Sequence, residues 1–180
     1  MSASSRGLPE VAAYLTGHDE STGKAIIQES RPGVWTSVDR ASMAFNAVYT
    51  TSTFPALLND SADIKTHDAV VASGKLGIVN PNGTVLRIVD FAPGYESMMH
   101  RTRSLDYGIV LEGTIELVLD SGKTQSLNRG DVVIQRGTNH AWRNPSKKDW
   151  VRMIYCLQDC QEVVIGGAAL AEELELEKPN

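Results

Sequence analysis

The side chains best suited to chemistry in this sequence are His100, Asp106 and His140, with Thr102 between the first two. Imidazoles and carboxylates move protons near neutral pH and ligate metals. His100 and Thr102 stand two residues apart, so on a strand they share one face. Asp106 follows after a bend at Arg103-Ser104, and His140 arrives from a strand far away in sequence. Such side chains converge only if the sheet closes or folds over itself. Strand parity puts Met98 on the His100 face and Trp142 and Asn144 on the His140 face, while Gln135 and Tyr155 come from adjoining strands. We read Met98, Thr102, Arg103, Gln135, Trp142 and Tyr155 as candidate substrate contacts. Arg101, Arg103, Arg136 and Arg143 surround the cluster; one or two of them could bind a substrate carboxylate, and a solvated rim is the simpler fate for the others. The remaining histidines, His18 and His67, lie in polar, loop-like contexts and read as solvent-exposed.

The elements that must hold these groups are short strands. From Leu76 to Asp159 turn signals recur every 8–12 residues, the signature of a β-sandwich or barrel. Asn80-Pro81-Asn82-Gly83, Ala92-Pro93-Gly94, Glu112-Gly113, Asp120-Ser121-Gly122-Lys123, Asn128-Arg129-Gly130-Asp131 and Asn144-Pro145-Ser146 are the turns. Between them Val85–Phe91, Tyr107–Leu111, Thr114–Leu119, Val132–Gln135 and Trp150–Leu157 read as strands. Upstream, residues 1–75 form an arm. Lys24–Glu29 and Ala44–Thr51 have the β-branched and aromatic content of strands, and Pro9 to Tyr14 suits a short helix after its proline. Residues 76–158 form the barrel core. Residues 159–180 form a tail, in which Ala, Leu and Glu at helical spacing over Gly167 to Glu177 suggest a short C-terminal helix or an acidic tail. The whole reads as one domain, and no tandem repeat indicates a solenoid or a duplicated barrel.

Composition narrows the partners. A net charge of −5, with Lys and Arg scattered among acids, offers no basic stripe for nucleic acid. No apolar run approaches the roughly 18 residues of a membrane span, and the first residues lack the apolar stretch of a signal peptide. A cytoplasmic protein with a small-molecule substrate, and neither nucleic acid nor membrane as partner, is expected. Cys156 and Cys160 have no His or Cys neighbours at zinc-site spacing and read as reduced.

Two stretches carry a family resemblance. Gly94, five residues, His100, one, Thr102, three, Asp106, six and Gly113 resembles the first cupin motif, in which two His and a Glu stand between two glycines. Gly130 to Gly137, then His140 and Asn144, resembles the second, sixteen residues further on. The resemblance implies an all-β fold, the cupin double-stranded β-helix or jelly-roll barrel, here with N-terminal arm strands. It also implies a divalent metal, zinc or iron before manganese or nickel, held by His100, Asp106 and His140. Thr102 and Asp106 replace the family's second His and its Glu, and Arg136-Gly137 replaces its Pro-x-Gly. Two imidazoles and one carboxylate suit non-haem iron, or zinc with bound water. Because Asp is shorter than Glu, Asp106 could instead act as an acid–base group or orient His100 without any metal. A third alternative makes the histidines structural.

The longer likeness, including Thr16-Gly17-His18-Asp19 and Phe54-Pro55, is to short fungal and bacterial single-domain cupins, many from polyketide pathways. It implies tailoring of a small oxygenated metabolite. Three functions follow: a lyase, either dehydratase or decarboxylase, using His100, Asp106 and His140; a metal-dependent oxidoreductase; or a metabolite-binding protein without chemistry. Homodimerisation through the arm strands is also implied.

Overall fold

A computed structural model describes residues 6–173. In chain order the arm comprises β1 (Ala12–His18), β2 (Ala25–Pro32), β3 (Thr36–Val38), β4 (Met43–Thr51) and the helix α1 (Ala62–Ala72). The remaining elements are β5 (Thr84–Phe91), β6 (Ser104–Glu112), β7 (Thr114–Leu119), β8 (Thr124–Asn128), β9 (Val132–Arg136), β10 (His140–Arg143), β11 (Val151–Asp159), β12 (Val164–Ile165) and β13 (Ala168–Ala169). A six-stranded sheet runs in the order β3-β4-β5-β11-β6-β9, and a three-stranded sheet in the order β10-β7-β8. Every pairing in them is antiparallel. The two sheets form an all-β sandwich of the jelly-roll type, as the turn spacing leads one to expect.

Alternation explains the layering. Val85, Val89 and Phe91 on β5, Met153, Tyr155 and Leu157 on β11 and Val110 on β6 meet Ile115, Leu117, Leu127 and Trp142 of the smaller sheet in one buried core. Each of those β5 and β11 residues is separated from the next on its strand by an even number of positions, so they share the inward face. The turn from β6 to β7 needs Gly113, whose φ of +82° belongs to the left-handed region and whose missing Cβ leaves room for Val151. Gly108 on β6 faces Tyr155 across the ladder. A Cβ there would lie 3.1 Å from the tyrosine ring, so the glycine makes space for it.

The strands read at 24–29, 44–51, 85–91, 107–111, 114–119, 132–135 and 150–157 are present with small boundary changes. Three local readings are corrected. Pro9 to Tyr14 is not a helix: Ala12 to Tyr14 begin β1, because pairing with β2 satisfies this backbone. Gly167 to Glu173 is not helical either: Ala168–Ala169 pair with Val164–Ile165, and Glu173 exchanges two backbone hydrogen bonds with Arg101. Residues 174–177 of that expected helix lie outside the described residues. His67 is not exposed. It is 5% accessible, on α1. There its ring stacks on Tyr49 and its Nδ1 lies 3.0 Å from Thr50 Oγ1. The helix escaped sequence reading because only one of its residues is buried, so it carries no apolar stripe.

Candidate active site

A cavity of about 420 Å³ opens between the sheets, and its polar groups sit on a largely apolar wall of Met43, Phe45, Ile78, Val89, Phe91 and Leu157. Its size is that of a small-molecule site. His100, Thr102, Asp106 and His140 all line it, together with Met98, Trp142 and Tyr155.

Backbone pairing brings the two histidines together. His100 and His140 exchange both backbone hydrogen bonds, at 2.8 and 2.9 Å, outside the regular ladders. Their ring centroids stand 4.3 Å apart. Each Nδ1 lies 3.0 Å from the carbonyl oxygen two residues earlier, Met98 for His100 and Thr138 for His140. A carbonyl only accepts, so both Nδ1 atoms donate, and neutral rings then carry their lone pairs on Nε2. Burial, and after it the neighbouring His100, push the His140 pKa down to about 4, against the opposing pull of its bond to Thr138. His140 is therefore neutral at physiological pH.

Asp106 has the opposite character. It projects inward from β6 and is 4% accessible. Its Oδ1 is buried with no hydrogen-bond partner among the described residues. Burial raises its carboxyl to about 6, opposed only in part by the Ser104 hydroxyl. The usual order is thus inverted: the carboxyl takes a proton at a higher pH than the imidazole of His140. Tyr155 is also buried, and its pKa is driven well above 10 first by burial and then by the charge of Asp106. Its hydroxyl remains a donor and spends its proton on a weak acceptor, Met153 Sδ, at 2.9 Å.

The other candidate contacts divide. Gln135 stands opposite Asp106 in the β6–β9 ladder, yet its amide donates to the Thr138 carbonyl and hydroxyl and does not line the cavity. Arg103 is outside it, with a side chain 54% exposed and 3.8 Å from Asp159. Arg101 pairs with Glu173, and Arg143 with Glu116 and Glu96. Arg136 is exposed. Sequence reading missed Arg87, the arginine that does line the cavity. Its signal was legible: it occupies an inward position of β5 between Val85 and Val89, where an apolar residue is the rule.

The cupin motifs imply a metal held by His100, Asp106 and His140. Among the described residues no group of three or more His, Cys, Asp or Glu side chains is placed to hold an ion. Thr102, at the place of the family's second His, has its hydroxyl oxygen engaged by Ser104 at 2.8 Å. His100 and His140 are adjacent, but Asp106 does not complete a three-donor set with them. The residues present do not fit a metal held by His100, Asp106 and His140.

The fold is a jelly-roll sandwich that encloses this cavity, and residues 87–156 match the family described as Cupin domain. The chain belongs to the cupin family. It is similar to phomopsin biosynthesis cluster protein D of Diaporthe leptostromiformis, with 44% identity over 87% of this chain and 82% of that protein. It is also similar to oryzines biosynthesis cluster protein J of Aspergillus oryzae, at 37% identity over 94% of each chain. A third relative, the cupin-domain-containing oxidoreductase fogC of Aspergillus ruber, is 36% identical over 89% of this chain and 78% of its own. Among solved structures, the polyketide cyclase RemF of Streptomyces resistomycificus superposes with a TM-score of 0.45 at 16% identity, covering 76% and 73% of the two chains. No helix among the described residues is long and apolar enough to cross a membrane.

Proposed function

We propose that this protein is a lyase of secondary metabolism that removes water from a small β-hydroxylated, polyketide-like acid by proton transfer through Asp106. The observation that carries this reading is the buried carboxyl of Asp106, unpartnered at Oδ1, facing a largely apolar cavity. With a pKa raised to about 6, the group is largely ionised at neutral pH yet basic enough to accept a proton from carbon. The Cα–H bond breaks and its proton goes to Asp106; the electron pair forms the C=C bond as the Cβ–O bond breaks. The departing hydroxide takes the same proton back from Asp106 and leaves as water, so the carboxylate is regenerated. The Tyr155 hydroxyl, turned from its sulfur partner, donates to the substrate carbonyl as negative charge builds there. The Nε2 atoms of His100 and His140 hydrogen-bond to substrate hydroxyls and fix which one leaves. Met98 and Trp142 pack against the carbon skeleton.

Biosynthesis-cluster relatives support the setting, because two of the similar proteins carry that description in their names. Anaerobic turnover of a β-hydroxy acid substrate, followed by mass spectrometry, tests the chemistry. A product lighter by one water, formed without oxygen and lost in Asp106→Asn, is expected. A strict need for oxygen or an added electron acceptor would transfer the proposal to the second reading, oxidoreduction, which the name of the fogC relative favours. kcat/KM should rise with pH through about 6, the value of Asp106, and level off above it.

The same proposal includes a homodimer built on the arm. Strand β2 is exposed along nearly all its length, and Tyr14, Ile27 and Val34 are more than half exposed around it. Light scattering at twice the chain mass of 19.6 kDa is the expected result, and the mass of one chain would refute it.

A further inference from the structure

Arg87 is a cation whose surroundings supply no counter-charge. It stands on the inward face of β5, between Val85 and Val89, and lines the cavity. Its guanidinium lies 4.7 Å from the centre of the Phe45 ring, and Nη2 donates to the Gly77 carbonyl at 2.9 Å. Its Nε is buried and has no hydrogen-bond partner among the described residues. No carboxylate of those residues forms an ion pair with it. Asp39, which also lines the cavity, accepts instead from the Tyr95 hydroxyl. Burial alone pushes the Arg87 pKa down, to about 10, so the group stays charged at any physiological pH. A desolvated, unpaired cation is costly to the folded protein. Four other arginines of the barrel region, by contrast, either meet carboxylates (Arg101, Arg103 and Arg143) or face solvent (Arg136).

We propose that Arg87 is the anchor for a substrate carboxylate, so that the cavity selects molecules with an apolar body and one acid group. The inference rests on the reading of this cavity as a substrate site and names the class of molecule it accepts. A carboxylate brought to Arg87 supplies the missing counter-charge and uses donors now idle, in a setting where the pair is shielded from water. The spacing suits the proposed chemistry. Arg87 stands opposite Tyr155, and Asp106 opposite Leu157, on strands separated by β11. Two strand spacings of about 4.8 Å and two residues of about 3.4 Å rise put the two Cα atoms roughly 12 Å apart. Both side chains point into the cavity between them. An acid group held at Arg87 therefore places carbons a few bonds along the chain beside Tyr155 and Asp106. The anchor also orders the two lyase outcomes. Ion pairing stabilises the carboxylate charge that decarboxylation must push into the carbon skeleton, so the acid group is retained and water is what leaves.

Calorimetric titration with 1-naphthoate and its neutral counterpart 1-naphthamide tests this without any need for turnover. Wild-type protein is expected to bind the carboxylate at least ~10-fold more tightly than the amide, consistent with the strength of charge-assisted hydrogen bonds. In Arg87→Met the preference should vanish while the amide still binds, which shows that the cavity is intact; Arg87→Lys should keep part of it. Equal affinities in the wild type, no binding of either probe, or a carboxylate preference that survives Arg87→Met would each overturn the anchor. A carboxylate preference that depends on Arg87 in a protein without dehydratase activity would keep the anchor and reject the lyase.

Discussion

The large sheet buries charge on both of its faces, and the two faces treat it differently. On the outer face, Arg152 of β11 stands opposite Asp90 of β5 and binds it through two contacts, Nε to Oδ1 at 2.6 Å and Nη2 to Oδ2 at 2.8 Å. Nη1 of Arg152 donates to the Pro9 carbonyl, Arg6 lies 3.4 Å from Asp90, and Trp35 stacks over both guanidinium groups. Asp90 is wholly buried and Arg152 is 3% accessible, yet no side-chain atom of either is left without a partner. On the inner face, Arg87 of β5, three residues before Asp90, and Asp106 of β6 each keep a buried atom unpaired. They stand two strands apart and do not neutralise each other. Both pairs are buried acids and bases; only the outer one is closed. The closed set ties the N-terminal arm to the sheet, whereas the open one leaves a polar atom of each group unpaired beside the cavity.

The largest effect that sharpens this contrast belongs to the outer pair. Arg152→Met strands a fully buried carboxylate and should lower stability by about 3–5 kcal/mol, read as a fall in urea midpoint at unchanged slope. On the inner face, Asp106→Asn should leave stability at neutral pH unchanged or higher, because it removes a charge that the native state holds at a cost, while turnover drops by about 10²–10⁴-fold. A loss of stability in Asp106→Asn equal to that of Arg152→Met would erase the distinction.

A second effect is visible only as a function of pH. Asp106, at about 6 in the folded chain against about 3.9 in the unfolded one, holds its proton more tightly when native. Its contribution to stability is therefore present below about pH 4 and lost as the pH rises through 6. His140, at about 4 folded against about 6.5 unfolded, contributes stability that is present above about 6.5 and lost as the pH falls through 4. The slopes oppose each other over nearly the same window and largely cancel. Removing one exposes the other. The stability of Asp106→Asn relative to wild type should climb by about 2–3 kcal/mol between pH 4 and 6.5, and that of His140→Gln should fall by a similar amount. Parallel curves for all three proteins, measured by urea titration at each pH, would show that neither group is perturbed by burial.

The smallest effect concerns Arg87. Arg87→Met exchanges an unpaired cation for an apolar side chain of similar length, so its stability should move by no more than about 1 kcal/mol in either direction. A loss as large as that of Arg152→Met would mark Arg87 as a structural group like its outer-face counterpart.

The strands of the barrel were legible because alternation and turn residues are local properties of the chain. The spacing of His100, Asp106 and His140 between glycines likewise marked out residues that all reach one cavity. Features that depend on a distant partner were not legible. The arm residues Ala12–Tyr14 become a strand only because β2 lies beside them, and the 168–169 segment folds back on β12 instead of turning helical. Helix α1 is short and mostly exposed, held by His67 against β4, and nothing in its own pattern announces it.

The same division runs through the site. Residue type and parity determined that two imidazoles and a carboxylate face inward from a β-sandwich of the cupin family, since side-chain direction follows from backbone period alone. Tertiary structure decided what those groups can do. Burial depth set the inverted proton affinities of Asp106 and His140, and the strand order put Tyr155 between Asp106 and Arg87. It also held Arg101, Arg103 and Arg143 away from the cavity beside their own carboxylates and left Arg87 lining it without one. Desolvation and the geometry of opposite charges are sums over neighbours from across the whole chain, and no local stretch of sequence contains them.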